Sequence, residues 1–195
     1  VLFENFIETA LRCESSSPFI TNSTFRNNVD AIYADGGSSP TISFNTFISN
    51  ERPVAIHPHQ IDGNIYGNSY SDNTKNYIEV KDGNQLDGNK TYHWLKDGVP
   101  YVVTTSFAVH RNDANDNTHS WLNIESGTEV QFYPGMELSI GSTTGQSGHW
   151  GGLQAEGVTF TAFDQTNPWT GIKFNNKSWD ADAINNYFIS SIVSY

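Results

Sequence analysis

Short apolar stretches recur at a nearly constant interval along the first half of the chain. Three segments, 20–28, 42–50 and 65–73, align without gaps, and their starts are separated by roughly 22 residues. Each segment begins with Ile, carries an aromatic residue five positions later and ends on Asn. A side-chain motif that repeats at a fixed interval indicates a solenoid, in which each repeat forms one coil and packs on the next.

A second apolar series runs between these segments. Its members recur at nearly the same interval and are Ala10-Leu11, Ala31-Ile32, Ala55-Ile56 and Tyr77-Ile78. Two short apolar strands per interval, separated by turns rich in Asn, Gly and Ser, are typical of a strand-and-turn coil, whereas the interval is too short for a pair of helices. We therefore predict coils stacked at about 4.8 Å, with inward Ile and aromatic side chains lying on their copies.

The recurrent Asn28, Asn50 and Asn73 are predicted to be structural. Asn tolerates left-handed backbone conformations at bends, and stacked copies can hydrogen-bond with one another. The alternative all-β folds are sandwiches and closed barrels. They predict alternating strands at intervals of about 8–12 residues without an aligned side-chain motif, so the three-copy alignment favours the solenoid.

Turn signals interrupt the repeat between residues 81 and 100. We interpret 81–100 as a loop or an irregular coil, and as a candidate junction between the stretches 1–80 and 101–195 of one β-helical domain, 1–195. The spacing of Leu153 and Ile172 is close to the repeat, so the two are expected one coil apart. Further strands are predicted at 101–103, 107–109, 121–124, 129–132, 137–140, 153–155, 158–160, 171–174, 183–184 and 187–189.

Composition narrows the class of partner. The net charge is −11 and charged residues make up only 16% of the chain, which disfavours nucleic acid and anionic membrane surfaces as partners. No apolar run approaches the roughly 20 residues that cross a bilayer, so no membrane insertion is expected. Cys13 is the single cysteine, which excludes an internal disulfide and a Cys-based zinc site.

The three repeats resemble those of the right-handed parallel β-helix superfamily, the pectin-lyase-like fold. The second half resembles a pattern of large bacterial and archaeal surface proteins, at 98–103, 122–132, 150–153 and 157–161. The resemblance implies an all-β, right-handed, single-stranded parallel β-helix of about eight coils, at one coil per roughly 22 residues. It also implies an extracellular or cell-surface location. It leaves function open, because the superfamily includes polysaccharide lyases, glycoside hydrolases, adhesins and structural stalks.

Both ends of the chain lack a polar capping segment. The chain begins Val1-Leu-Phe and closes with the apolar segment 188–195. An uncapped coil exposes apolar core and unpaired strand edges. We therefore expect an excerpt of a longer solenoid, or end-to-end self-association through these coils.

Catalytic motifs that the resemblance implies are incomplete. At Gly148-His149-Trp150 the second Gly of a Gly-His-Gly motif is missing, and Gly171-Ile172-Lys173 has Gly where Arg is expected. Asp180 and Asp182 form the best carboxylate pair, since an i, i+2 spacing on a strand points both side chains to one face, where an acid and a base can flank a glycosidic bond. An ordinary polar strand or turn remains the alternative.

Two further groups are candidate ligand sites. His57 and His59 share a face if the chain is extended, and suit half of a metal site or a general base, with Tyr33 or Asp35 from a neighbouring coil as partner. The alternative is a turn with two exposed histidines. Asp113, Asn115 and Asn117 alternate like the start of a calcium loop but lack its later Gly and Glu, so a plain polar loop is the alternative.

Aromatic side chains are the remaining candidates for binding. Trp169 and Trp179 lie in polar segments and are candidates to stack on sugar rings, with Tyr33, His57 and His59 as further contacts. We expect a non-catalytic extracellular β-helical module, structural or adhesive, whose partner is a polysaccharide or cell-surface glycan, with no cofactor unless calcium binds. The alternative is a polysaccharide lyase or glycoside hydrolase.

Overall fold

The computed structural model describes residues 1–83, 85–110, 119–143, 150–175 and 192–193. Within these ranges the chain forms 22 short β-strands and one short 3-10 helix, Pro58–Gln60. Every strand pair in them is parallel. The strands stack into five sheets that run along the solenoid, which confirms the predicted all-β parallel β-helix.

Three sheets contain the strands of the first coils. Sheet A consists of β1 (Leu2–Glu4), β4 (Thr24–Arg26), β7 (Thr46–Ile48) and β10 (Ser69–Ser71). Sheet B consists of β2 (Thr9–Cys13), β5 (Asp30–Ala34), β8 (Arg52–Ile56), β11 (Ile78–Val80), β14 (Tyr101–Val103), β17 (Glu129–Phe132), β20 (Thr159–Ala162) and β22 (Ile192–Val193). Sheet C consists of β3 (Phe19–Thr21), β6 (Thr41–Ser43) and β9 (Ile65–Tyr66).

Two sheets begin later. Sheet D consists of β12 (Gln85–Leu86), β15 (Phe107–Val109), β18 (Glu137–Ile140) and β21 (Gly171–Phe174). Sheet E consists of β13 (Thr91–Trp94), β16 (His119–Ile124) and β19 (Trp150–Gln154). The early coils therefore pass through sheets A, B and C, whereas the later coils pass through B, D and E.

Sheet B continues without a break through the segment 81–100. Strand β11 pairs with β8 on one side and with β14 on the other, and the segment itself contains β12 and β13. Of the two interpretations of 81–100, a loop or an irregular coil, the strands therefore favour the coil. Sheets A and C end and sheets D and E begin around it, so the change of architecture concerns the other faces of the coil.

The stacking register differs from the sequence alignment at two places. Ile32 pairs with Val54, and Val54 pairs with Ile78. The predicted series placed Ile56 between Ile32 and Ile78, which is two positions too far along the chain. Val54 and Ile56 both point inward, and an apolar pattern alone does not distinguish them.

Leu153 and Ile172 are not equivalent positions in successive coils. Leu153 pairs with Leu122 in sheet E and Ile172 with Leu138 in sheet D. The coils of the second half are also longer than the repeat of the first half, since Tyr101 pairs with Val130 and Val130 with Phe160. Sheet B nevertheless has eight described strands, as many as the predicted coils.

Aromatic rings stack along the inside of sheet A. The ring centroids of Phe3, Phe25, Phe47 and Tyr70 are 4.7, 5.2 and 5.1 Å apart, and neighbouring ring planes differ by at most 15°. The predicted stacking of Phe25, Phe47 and Tyr70 is confirmed. Offset stacking of parallel rings adds to the free energy gained by burying them.

The predicted asparagine ladder lies at the turn between sheets A and B. The side-chain oxygen of Asn50 accepts hydrogen bonds from the backbone N–H and the side-chain NH₂ of Asn28, at 3.0 and 2.9 Å. Asn73 accepts from Asn50 in the same way, at 2.9 and 3.0 Å. Each amide NH₂ also donates to a main-chain carbonyl, which is that of Phe25 for Asn50. The ladder satisfies buried backbone groups at the three turns that contain these asparagines.

A second ladder, which was not predicted from the sequence, lies at the turn between sheets C and A. The backbone N–H of Ser23 donates to the side chain of Asn45, and that of Asn45 to the side chain of Asn68. The last member is Asp97, whose carboxylate accepts from the backbone and side chain of Asn68 at 2.9 and 2.8 Å and from the hydroxyl of Tyr70 at 2.6 Å. Burial raises the pKa of Asp97 although these hydrogen bonds lower it.

Replacing Asn50 by alanine is expected to lower the free energy of unfolding by about 3 kcal/mol, because buried backbone and amide groups of Asn28, Phe25 and Asn73 would lose their partner. Urea unfolding monitored by circular dichroism measures the loss. Thr74→Ala, at an exposed position of the same corner one coil further on, is the control and should be nearly neutral. A loss below about 0.5 kcal/mol for Asn50→Ala would contradict a structural role of the ladder.

Replacing Asp97 by asparagine tests the buried carboxylate. Because the pKa of Asp97 is raised in the folded state, its contribution to stability is fully present below the unfolded-state pKa and is lost as the pH rises through the folded-state pKa. The stability of the wild type relative to Asp97→Asn should therefore fall as the pH is raised from about 4. Urea unfolding across this range measures the trend. Hydrogen bonds from Asn167 and Thr166 lower the pKa of Asp164, so Asp164→Asn should give the opposite trend.

Candidate functional site

The turn after β8 brings together both histidines that the sequence singled out. Their rings are 5.8 Å apart, His57 Nε2 lies 3.4 Å from Asp82 Oδ2, and His59 Nε2 lies 3.0 Å from the carbonyl oxygen of Gly36. Burial lowers the pKa of His57, which favours the neutral ring. Asp35 lies close enough to influence this pKa. Among the described residues, however, no group of three His, Cys, Asp or Glu side chains is placed to hold a metal ion.

The rings of two other candidates for sugar stacking already contact other side chains of the protein. Lys81 Nζ lies 3.7 Å from the centroid of the Tyr33 ring, and the guanidinium of Arg12 lies 4.8 Å from it. Trp169 is only 3% exposed and its ring stacks on Phe132 with centroids 4.2 Å apart. The polar segment around Trp169 predicted a surface position, whereas its ring belongs to the core and presents no face to a ligand.

Several candidates lie outside the described residues. They are Trp179, the carboxylate pair Asp180 and Asp182, and the calcium candidates Asp113, Asn115 and Asn117. The chemistry assigned to them remains a prediction.

Three exposed aromatic side chains lie instead on sheet C or at its edge. Phe19 is 84%, Phe44 58% and Tyr66 36% exposed. They lie in three successive coils, since Phe19 pairs with Thr41 and Ser43 with Tyr66. Phe19 and Tyr66 each adjoin a buried Ile of their strand, Ile20 and Ile65, and therefore point outward. Phe44 follows β6 directly, at the corner between sheets C and A.

Phe44 has an unusual backbone conformation for its type. Its φ angle is 55°, in the left-handed region, and the equivalent residues of the neighbouring coils are Asn22 (φ 50°) and Gly67 (φ 68°). Asn and Gly tolerate this region, but a bulky side chain there is strained. Phe44 is therefore held in a costly conformation while most of its ring faces solvent.

A glycine makes room for the Phe44 ring. A Cβ atom at Gly67 would lie 2.8 Å from Phe44 Cε1, so the ring lies directly on the backbone of the next coil. The Tyr66 ring stands at 90° to the Phe44 ring, with centroids 5.5 Å apart. The pair forms an L-shaped aromatic platform, defined here as Phe44 and Tyr66, at the corner between sheets C and A.

A second concave surface lies on sheet D. A trough of about 300 Å³ is lined by Gly83, Gln85, Ser106, Phe107, Ala108, Glu137 and Ser139. Glu137 is its single acidic lining residue, and Glu137 accepts a hydrogen bond from Ser139 at 2.5 Å. Hydrolysis of a glycosidic bond by the usual mechanism needs two carboxyl groups, and the described lining of this trough supplies one.

Residues 8–133 match the family model of the right-handed beta helix region. The chain belongs to the right-handed β-helix family. The matched residues include most of sheets A, B and C and the first strands of sheets D and E. No curated protein and no solved structure matches this β-helix. Within its described residues, no helix has the length and apolar character needed to cross a membrane.

The repeat alignment already contained the signal for the aromatic platform of this β-helix. At the third position of the three aligned segments stand Asn22, Phe44 and Gly67. Asn and Gly are residues that a tight turn favours, whereas Phe is not. A single large aromatic side chain at a turn position of a repeat therefore marks a position where stability alone does not explain the residue.

Phe44→Asn is expected to leave the free energy of unfolding within about 1 kcal/mol of the wild type, because the relief of backbone strain offsets the loss of packing against Gly67 and Tyr66. The buried Phe47 of the same repeat provides the contrast: Phe47→Ala should cost about 3–5 kcal/mol. Urea unfolding measures both. A cost above about 2 kcal/mol for Phe44→Asn would mean that Phe44 is a packing residue.

Proposed function

We propose that this β-helix is a non-catalytic extracellular module that binds polysaccharide through the outer face of sheet C. The observation that carries the proposal is the aromatic platform, in which Phe44 keeps a strained backbone and an exposed ring. Backbone strain that burial of the side chain does not offset is typical of functional positions.

The chemistry of this face suits a sugar polymer. A sugar ring presents one apolar C–H face and a rim of hydroxyl groups. The aromatic rings of Phe44 and Tyr66 can stack on the C–H face, and polar side chains beside them, Thr21, Thr41 and Asn22, can bind the hydroxyl groups. None of these polar residues is charged, so the proposal favours an uncharged stretch of glycan.

The framework beneath the face supports a role as a rigid module. The two hydrogen-bonded ladders and the stacked Phe25 and Phe47 fix the coils against one another. A face held on stacked strands keeps its side chains in a constant arrangement, which reduces the ordering cost of binding. A stiff solenoid that carries a glycan-binding face fits a surface or adhesive protein.

Binding to insoluble polysaccharides and to a glycan array, with and without calcium, tests the proposal. Phe44→Asn and Tyr66→Ala should each weaken binding about tenfold or more, since each removes an aromatic contact worth about 1.4 kcal/mol. Phe163→Ala is the matched control, because Phe163 is also an exposed aromatic residue but packs on Tyr133 at another face.

Other outcomes of the same experiment contradict the proposal. Equal losses in all three variants would mean that the aromatic platform is not the binding face. Loss of binding in Ala108→Trp, with Phe44→Asn unaffected, would place the glycan in the trough of sheet D. Release of shorter saccharides from the polysaccharide would show that the module is catalytic.

A further inference from the structure

Two exposed asparagines stand in the Asn-X-Ser/Thr triplet that accepts N-linked glycans in secreted proteins. They are Asn22, in the triplet 22–24, and Asn89, in the triplet 89–91, and each triplet ends on Thr. A third such triplet, 176–178, lies outside the described residues. Binding of a polysaccharide to the aromatic platform does not explain these triplets.

The two described triplets share one local structure. The φ angles of Asn22 and Asn89 are 50° and 54°, in the left-handed region that Asn tolerates at tight turns. The third residue of each triplet begins a strand, since Thr24 is the first residue of β4 and Thr91 that of β13. Each asparagine is therefore an exposed turn residue, and the threonine that completes its triplet begins the strand that follows.

The buried asparagines of the two ladders differ from these two in contacts and in sequence. Their NH₂ groups donate to main-chain carbonyls, as that of Asn45 does to the carbonyl of Ile20 at 2.7 Å, so a sugar on this nitrogen would disrupt the ladder. None of the ladder asparagines has Ser or Thr two positions later: Asn28, Asn45, Asn50, Asn68 and Asn73. Among the described asparagines, the triplet thus occurs only where the side chain is exposed.

The exposed amides can accept a sugar and keep their hydrogen bonds. Asn22 Nδ2 donates to Thr21 Oγ1 at 3.3 Å, and an amide nitrogen carries two hydrogens. Asn89 Oδ1 accepts from the backbone N–H of His119 at 3.1 Å, and this oxygen does not react. Transfer from a lipid-linked oligosaccharide forms the bond from Nδ2 to C1 of the first sugar and breaks the C1–O bond to the lipid pyrophosphate. One Nδ2 proton is released.

Asn22 lies one coil before Phe44, on the corner between sheets C and A. The N–H of Asn22 donates to the carbonyl of Ser43 at 3.4 Å, and that of Phe44 to the carbonyl of Tyr66 at 3.3 Å. The backbones of these turns are therefore stacked at about 4.8 Å, and a glycan on Asn22 begins beside the aromatic platform. A glycan on Asn89 begins at a different turn, between sheets D and E.

We infer that Asn22 and Asn89 are acceptor sites for N-linked glycans, and that the glycan on Asn22 packs on the Phe44 ring and excludes a polysaccharide from the aromatic platform. The acceptor sites rest on the extracellular location in the proposed function, and the exclusion rests on its binding face. Glycosylation of Asn22 thereby regulates the binding that the aromatic platform provides.

Secretion of the whole chain from a eukaryotic cell tests the acceptor sites. Mass spectrometry of the peptides should find a glycan on Asn22 and on Asn89, which peptide N-glycosidase removes with conversion of the asparagine to aspartate. Thr24→Ala should abolish the glycan on Asn22 alone, and Thr91→Ala that on Asn89 alone, whereas Thr24→Ser should retain it. An unmodified asparagine at either position of the secreted, folded protein would overturn its assignment.

Urea unfolding tests the contact with the platform without an added ligand. The difference in unfolding midpoint between wild type and Thr24→Ala should be larger in the glycosylated chain than in the chain made without glycans in the bacterial cytosol, because the first sugar packs on the Phe44 ring. Phe44→Gly should abolish this increment, whereas Phe163→Ala, which removes an exposed ring at another face, should retain it. An equal increment in wild type and Phe44→Gly would overturn the contact.

Calorimetric titration with a β-1,4-linked glucan hexasaccharide tests the exclusion. Glycosylated Thr24→Ala should bind about tenfold or more tightly than the glycosylated wild type, because the aromatic contacts become accessible again. Glycosylated Thr91→Ala is the matched control and should bind as weakly as the glycosylated wild type. Without glycans, wild type and both threonine variants should bind equally. Equal affinity of glycosylated wild type and Thr24→Ala would overturn the exclusion.

The failure of this inference differs from the failure of the proposed function. If the chain without glycans binds the hexasaccharide and Phe44→Gly binds it equally well, the aromatic platform is not the binding face, and the proposed function and the exclusion are both overturned. The glycan on Asn22 and its contact with Phe44 are decided separately, by mass spectrometry and unfolding. If the chain without glycans binds through Phe44 and glycosylation leaves its affinity unchanged, only the exclusion is wrong.

Discussion

Hydrogen bonds between stacked asparagine side chains and the backbone of the adjacent coil are the interaction on which the coils that carry sheets A and C depend. At the corners between sheets C and A and between sheets A and B the chain bends, and some of its buried N–H and carbonyl groups have no backbone partner. Asn50 shows how one amide meets this need: its oxygen accepts from the coil before it, and its NH₂ group donates both to the main chain of that coil and to Asn73. Removing one amide therefore leaves several buried groups unpaired at once, which an apolar core does not tolerate.

The ladders also fix which surface residues become neighbours. Once Asn45 and Asn68 are stacked, the preceding residues, Phe44 and Gly67, lie one above the other. A change at such a position alters the surface without altering the framework below it. Phe44 illustrates this, since its turn keeps the left-handed conformation of Asn22 and Gly67 although the side chain does not favour it. The framework imposes the conformation, and the exposed ring becomes available for binding.

The sequence predicted the parts of the fold in which one residue type repeats. Asn28, Asn50 and Asn73 and the rings of Phe25, Phe47 and Tyr70 recur with little change in type, so their stacking could be inferred. The second ladder was missed because its column reads Ser23, Asn45, Asn68 and Asp97, which no single residue type reveals. The register of Val54 and Ile56 was ambiguous because both are apolar and point inward. The candidate site could not be predicted because it depends on which aromatic side chains are exposed. Trp169 is buried and Phe44 is exposed, and residue type alone does not distinguish a buried aromatic side chain from an exposed one.

Asp97 stands where the architecture changes, and its chemistry differs from that of the asparagines below it. An asparagine continues the ladder, because its side-chain oxygen accepts hydrogen bonds from the preceding coil and its NH₂ group donates to the main chain. A carboxylate only accepts, so Asp97 receives Asn68 and the hydroxyl of Tyr70 and closes both the amide ladder and the aromatic stack at one point. Sheet A ends there, because the chain reaches β14 of sheet B within four positions of Asp97 and forms no further strand of sheet A in the described residues. The amide ladder, the aromatic stack and sheet A thus all end at the same corner of the solenoid.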